Sequence, residues 1–251
     1  MNPGLNIHPS PLRLGLQAIV TTTKACLVAP HGMTELAVPG GLSELTGEVR
    51  GQPVKMHTQS FTGSVWTRLV VSTIFDATGT PCTATVIGTP DPTTGMPILG
   101  MDLIAFGGAL SLVAIDLAPT DEQRWNDHAR PLLCQLHDRV EGQVKHRRWP
   151  SFAQDVFSPL ALIAGVARGR ESALFPAALE FIESLGAPLN DIGALDPARV
   201  AQAEHRIRAW EAAERQNRRE HNALKRIFGP ATSSRFLTYL FGDEKVPNHV
   251  Q

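Results

Sequence analysis

Asp102 stands in the middle of an apolar run, Pro97-Ile98-Leu99-Gly100-Met101-Asp102-Leu103-Ile104-Ala105-Phe106. The run reads as a strand that is apolar on both faces. Leu99, Met101, Leu103 and Ala105 lie on one face; Ile98, Ile104 and Phe106 lie on the other. Such a strand belongs in the middle of a sheet that is covered on both sides. Alternation places Asp102 among Ile98, Ile104 and Phe106. A carboxylate there must be paired, hydrogen-bonded or protonated. Burial raises its pKa, and a raised-pKa acid between apolar walls is a proton-donor candidate. The same pattern also describes a structural aspartate that holds a turn or a backbone amide.

A second group of polar side chains lies toward the C-terminus. Asp196-Pro197 opens a helix as a cap followed by a first-turn proline. Val200, Ala203, Ile207 and Trp210 then mark an inward stripe, which meets Asn217 and His221 before returning to Leu224 and Phe228. Two polar residues on an apolar stripe point to a helix that lines a cavity, although a satisfied core histidine is the commoner outcome for His221. A straight helix over residues 197–228 would be roughly 48 Å long, so a break is expected within 211–216. A third group, Lys145-His146-Arg147-Arg148-Trp149, is a basic cluster that ends in an aromatic; most such runs are solvated loops.

The chain has 251 residues, a net charge of −1 and a 43% hydrophobic share. That supports a substantial core and gives no bulk electrostatic reason to bind nucleic acid. Cys26, Cys82 and Cys134 are far apart and have no metal-ligand spacing, a sparse usage that fits a reducing compartment. The longest apolar runs fall short of the ~20 residues of a membrane span, and Met1-Asn2-Pro3-Gly4 lacks the basic start of a secretory signal. These features describe a soluble cytoplasmic protein, with no nucleic-acid or membrane partner. No exposed apolar stripe stands out, so a monomer is expected. The sequence contains no Gly-rich dinucleotide fingerprint, phosphate loop, His-Glu-x-x-His or Gly-x-Ser-x-Gly motif.

The elements that must position these groups follow from periodicity. Residues 1–35 are a poorly defined N-terminal segment with a weak helical pattern over 12–20, interrupted by Gly15. Val38-Pro39-Gly40-Gly41-Leu42 is a turn or pocket-edge loop. Residues 54–59, 65–75, 82–87, 97–106 and 109–117 are strand candidates joined by short turns, including Ala77-Thr78-Gly79 and Gly107-Gly108. Connections this short make hairpins, so the sheet is antiparallel. In the third strand Cys82, Ala84 and Val86 share one face, and Thr83 and Thr85 the other. Thr120-Asp121-Glu122-Gln123 has the form of a capping box with Thr120 as the cap, opening a helix to about residue 140. Residues 157–166 read as one more buried strand and 171–185 as a helix. The expected fold is therefore α+β, a central antiparallel sheet flanked by helices, in one domain over 1–251.

In this order and spacing the chain resembles the ferredoxin-dependent bilin reductases, from about residue 38 to residue 244. Val38-Pro39-Gly40-Gly41-Leu42 is similar to the family's Ile-Pro-x-Gly-Leu segment, and the Asp102 strand to its Pro-x-x-Gly-x-Asp-Leu strand. Residues 111–119 resemble the next strand, which ends in Asp-Leu-x-Pro, and Phe157-Ser158 a Phe-Ser pair. Gln216-Asn217, Leu224, Phe228-Gly229 and Tyr239-Leu240-Phe241 follow the family's C-terminal pattern. The resemblance implies a three-layer α/β/α sandwich that holds a bilin between the sheet and the C-terminal helices. It also implies two-electron reduction of biliverdin through bilin radicals, with electrons taken singly from ferredoxin and with no bound metal or flavin.

Carried over by position, Asp102 falls on the family's proton-donating central aspartate, which hydrogen-bonds the pyrrole nitrogens. Ser111 and Asn217 fall on pocket positions. Arg219 falls on a basic position near a propionate, and Arg147 and Arg148 lie near another propionate-binding arginine. The departures are equally specific. Thr85 stands where phycocyanobilin-forming members have a catalytic histidine, Thr73 where they have a glutamate, and Arg218 where several members have a second catalytic aspartate. Neither threonine nor arginine is a proton donor at neutral pH. Asp102 is then the remaining acid, with His221 as the candidate substitute donor. The reading that follows is a divergent reductase that takes a linear tetrapyrrole as substrate and ferredoxin as partner. The alternatives are a carrier or sensor that binds a tetrapyrrole without reducing it, and a reductase of a different tetrapyrrole whose pocket is reshaped by Thr73, Thr85 and Arg218.

Overall fold

The structure is a computed structural model and describes residues 11–78, 80–105, 109–167, 169–186 and 193–242. The expected Gly107-Gly108 turn, Phe106 before it, and Gly79 lie outside these residues. The first elements are helix α1 (Pro11–Thr23) and strands β1 (Thr34–Leu36), β2 (Glu44–Val49), β3 (Gln52–Thr62), β4 (Trp66–Phe75), β5 (Thr83–Pro90), β6 (Ile98–Ile104) and β7 (Leu112–Ala118). They are followed by α2 (Glu122–Arg124), α3 (Arg130–Val140), β8 (Val144–His146), β9 (Leu162–Val166) and α4 (Glu171–Gly186). The chain closes with α5 (Pro197–Glu214), α6 (Arg218–Phe228) and α7 (Pro230–Phe241).

Among the described residues nine strands form one antiparallel sheet in the order β1-β3-β4-β5-β6-β7-β9-β8, with β2 pairing along the same side of β3 as β1. Two cores follow from the period-2 alternation. Ala84, Val86, Leu99, Met101, Leu103, Val113, Ile115 and Leu162 face α1, α3 and α4. Val54, Met56, Val70, Ile74, Ile87 and Ile98 face α5, α6 and α7. The sheet is therefore the middle layer of an α/β/α sandwich, and Asp102 lies on the face of Ile98, toward the C-terminal helices.

The helical pattern over 12–20 forms a helix, α1, with Leu16 and Ile19 wholly buried in the first core. Gly15 assists this packing, since a side chain there would run into the Phe175 ring of α4. The helix cap is Asp121, which accepts from the Arg124 amide at 2.9 Å, and not Thr120, whose hydroxyl donates to the Met96 carbonyl at 2.7 Å. The strand expected over 157–166 begins only at Leu162. Before it, Ser158 turns the chain, held by the Asp116 carboxylate through its amide (3.0 Å) and its hydroxyl (2.5 Å).

The expected helix break falls at residues 215–217. Asn217 caps α6, its side chain accepting from the Glu220 amide at 3.3 Å, while Asp196 caps α5 through the Ala198 and Arg199 amides. The Arg215 guanidinium donates to the Phe241 carbonyl and Arg68 to the Tyr239 and Leu240 carbonyls, which ties the end of α7 to the break and to β4.

Candidate functional site

The pairing register assembles the site. Thr58 is opposite Ser72, Ser72 opposite Thr85, Thr85 opposite Asp102, and Asp102 opposite Ala114. This row of small and polar side chains crosses β3 to β7 on the face toward α5, α6 and α7. Where the second core is filled by large apolar residues the helices close onto the sheet. Along the row the side chains are short, and a cavity of about 1110 Å³ remains between the sheet and α6. That is slightly above the roughly 300–1,000 Å³ of typical small-molecule sites. Ser72, Thr85 and Asp102 form its floor, Phe152, Phe157, Leu224 and Ile227 give apolar walls, and Arg147, Arg148, Arg218 and Arg219 stand at its edge.

Thr85 Oγ1 donates to Asp102 Oδ1 at 2.6 Å. Burial raises the Asp102 pKa to about 6, and the Thr85 bond opposes that rise. Asp102 is thus a carboxyl group whose protonation changes near neutrality, open to the cavity and held in one rotamer by a neighbouring hydroxyl.

Thr85, Arg147, Arg148, Asn217, Arg218, Arg219 and His221 all line the cavity. Two expected residues do not. Thr73 is buried on the opposite face of β4, the face of Leu69 and Val71, and Ser72 occupies the position beside Thr85. Ser111 is exposed, its hydroxyl donates to the Ile104 carbonyl at 3.0 Å, and its own carbonyl accepts from Arg147. Its contribution to the site is to orient Arg147. His221 Nε2 is buried with no hydrogen-bond partner among the described residues. Burial holds its pKa below the usual histidine value, so the ring is neutral at pH 7.

Sequence reasoning missed the other acids. Glu214 at the end of α5 and Glu220 in the first turn of α6 both line the cavity with Asp102. Asn217 lies between them, its Nδ2 donating to Glu220 Oε2 at 3.2 Å and to Glu214 Oε2 at 3.4 Å. Burial pushes Glu214 up to about 8, helped by the charges of Asp102 and Asp116, while the Asn217 bond opposes the rise. Burial, then the charges of Asp102 and Glu214, push Glu220 well above the usual range. The available signal was the spacing: residues 214 and 220 lie three positions to either side of Asn217, so a capped break at Asn217 brings both onto its face.

Ferredoxin-dependent bilin reductases as a family match residues 22–242 of this chain, and the chain belongs to that family, a family of oxidoreductases. Phycocyanobilin:ferredoxin oxidoreductases of a Synechococcus sp. and of Synechococcus elongatus are each 24% identical to it over 211 residues. The alignment covers 82% of this chain and 83% of theirs. The fold is similar to that in the crystal structure of phytochromobilin synthase from tomato in complex with biliverdin, with a TM-score of 0.70 at 15% identity. That match covers 93% of this chain and 83% of the synthase. Among the described residues there is no cluster fit to hold a metal ion and no helix long and apolar enough to cross a membrane.

Proposed function

We propose that this protein reduces a linear tetrapyrrole of the biliverdin type, with electrons delivered one at a time by ferredoxin and with Asp102 as the proton donor. The observation that carries this reading is the Thr85–Asp102 pair on the floor of a large cavity edged by arginines. A substrate that accepts an electron becomes more basic, and a carboxyl group with a pKa near 6 is matched to protonate it close to neutral pH. Arg147, Arg148, Arg218 and Arg219 suit the propionates of such a substrate, since a planar guanidinium donates two parallel bonds to a carboxylate. The exposed Lys145, Lys225 and Arg226 extend the same charge outward, which supports docking of an acidic electron donor by steering.

The acid role toward the substrate is assigned to Asp102, which lies on the cavity floor beside Thr85. His221, neutral in its buried setting, is assigned to ring contact and hydrogen bonding. We take residues 1–251 as one domain acting as a cytoplasmic monomer. Three free cysteines with no pairing support a reducing compartment.

A binding protein that does not reduce its tetrapyrrole is the competing reading, and Thr85 in place of an ionisable group favours it. Anaerobic titration with biliverdin, followed by reduced ferredoxin, separates the two. Reduction shows as a transient radical band and a shifted product spectrum, absent in Asp102→Asn. Binding with no change on reduction supports the carrier or sensor.

A further inference from the structure

Behind Asp102 lies a second, smaller cavity of about 50 Å³. Its lining includes Asp102, Asp116, Glu214 and Glu220, set among Trp210, Phe241 and other apolar residues. Asp102, Glu214 and Glu220 border both this chamber and the large cavity, so they form the wall between the two. Glu214 is 7% exposed and Asp116 5%. A polar chamber of this size admits a water molecule. Four carboxyl groups around so small a volume cannot all be charged, because each charge raises the cost of the next. Across the large cavity face the neutral His221 and the arginines of α6 and of the loop after β8.

We propose that this chamber is a proton store for the reaction, in which Glu214 and Glu220 reload Asp102 between its two proton transfers. The inference rests on the reductase reading above. Reduction of one double bond takes two electrons, one from each of two reduced ferredoxins, and two protons. The first proton leaves the Asp102 carboxyl for the substrate after the first electron arrives. The O–H bond of Glu220 or Glu214 then breaks as a new one forms on Asp102, directly or through one water. Asp102 gives this second proton to the substrate after the second electron. The emptied glutamate and Asp102 each regain a proton from solvent once product leaves, which returns both acids to their starting state. Glu214 and Glu220 act through Asp102, while Asp116, fixed by Ser158, keeps the far wall of the chamber polar. The arrangement offers a source of the second proton in a cavity where Thr85 and Arg218 also line the wall and neither donates a proton at neutral pH.

The test uses Glu214→Gln, Glu220→Gln and the double variant, whose amides keep the shape of the wall without a transferable proton. In the double variant the radical forms on the first electron and then persists. The second step slows by about 100-fold, at the lower end of what a positioned acid contributes, and Glu220→Asp restores part of the rate. Radical decay at the wild-type rate in the double variant overturns the proposal. Infrared difference spectra of the ligand-free protein at pH 7 give a readout independent of turnover. The carbonyl stretch of protonated carboxylic acids should be present and should weaken in each variant, and its absence from the wild type also overturns the proposal. A wild type that shows this band but leaves biliverdin unreduced defeats the reductase reading and, with it, the reloading role.

Discussion

Thr85 and Asp102 sit directly opposite each other on β5 and β6, joined by a 2.6 Å hydrogen bond from hydroxyl to carboxylate. Pairs in register across a sheet hold their Cβ atoms about 5 Å apart, which places an acceptor and a short donor in contact without either leaving its rotamer. The bond favours the charged carboxylate and offsets part of the burial that raises its pKa.

Thr85→Val removes the donor and keeps the shape. The Asp102 pKa should rise, and the alkaline limb of the pH–rate profile should move to higher pH. Thr85→Ser, which keeps the hydroxyl, should leave the profile near that of the wild type. The measurement is single-turnover decay of the bilin radical across pH.

Asp116 and Glu214 contribute to the pH dependence of stability in the same direction as Asp102 and Glu220. Both have folded-state pKa values raised by burial, to about 7 and about 8, above the ordinary 3.8 and 4.5. The native state therefore binds more protons than the unfolded chain between about pH 4 and pH 8. Stability should be greatest at the acidic end of that window and fall as pH rises through it. Thermal melts between pH 5 and pH 8 should show a falling Tm, and Asp116→Asn should flatten the slope.

Asp121 carries the opposite sign. Its bonds from Arg199, at 2.6 and 2.8 Å, hold its carboxyl below the usual value. That contribution is present above the unfolded pKa and is lost as pH falls through the folded one. Arg199→Met should lower stability at pH 7 by leaving a charged acceptor under-bonded, and by less in acid, as read by denaturant unfolding.

His221→Gln should alter affinity for the tetrapyrrole and leave the proton-coupled steps running, because partial burial disfavours the protonated imidazole that an acid role would need. Loss of radical decay in this variant, with binding intact, would move the donor role from Asp102 to His221.

Arg219→Ala should weaken tetrapyrrole binding by about tenfold with little change in the rate of the bound complex. The lost interaction is one charge-assisted contact, worth roughly 1.5 kcal/mol or more. An absorbance titration checks it.

The parts of this account that were legible in the sequence are those written in local period. The alternation over β4 to β7 located the sheet, showed that Asp102 shares a face with Ile98, and separated Thr83 and Thr85 from Ala84 and Val86. The stripe on α5 and α6 brought Asn217 and His221 to the same cavity. What was hidden depends on phase and on distance along the chain. Thr73 and Ser72 differ by one residue, and only the pairing with β5 decides which of them faces the site. The cap at Asp121 was obscured because Thr120 is held by Met96, 24 positions earlier. Glu214 and Glu220 look like ordinary surface acids until the break at Asn217 folds them against Asp102.

The central claim is that Asp102 protonates a tetrapyrrole reduced by ferredoxin. The most direct measurement is anaerobic absorbance of the biliverdin complex on stepwise addition of reduced ferredoxin, for the wild type and for Asp102→Asn. In the wild type a transient radical band and then a blue-shifted product should appear, with the variant binding biliverdin but arrested before product. Product formation at the wild-type rate in Asp102→Asn, or a wild-type complex whose spectrum does not respond to reduced ferredoxin, would contradict that claim.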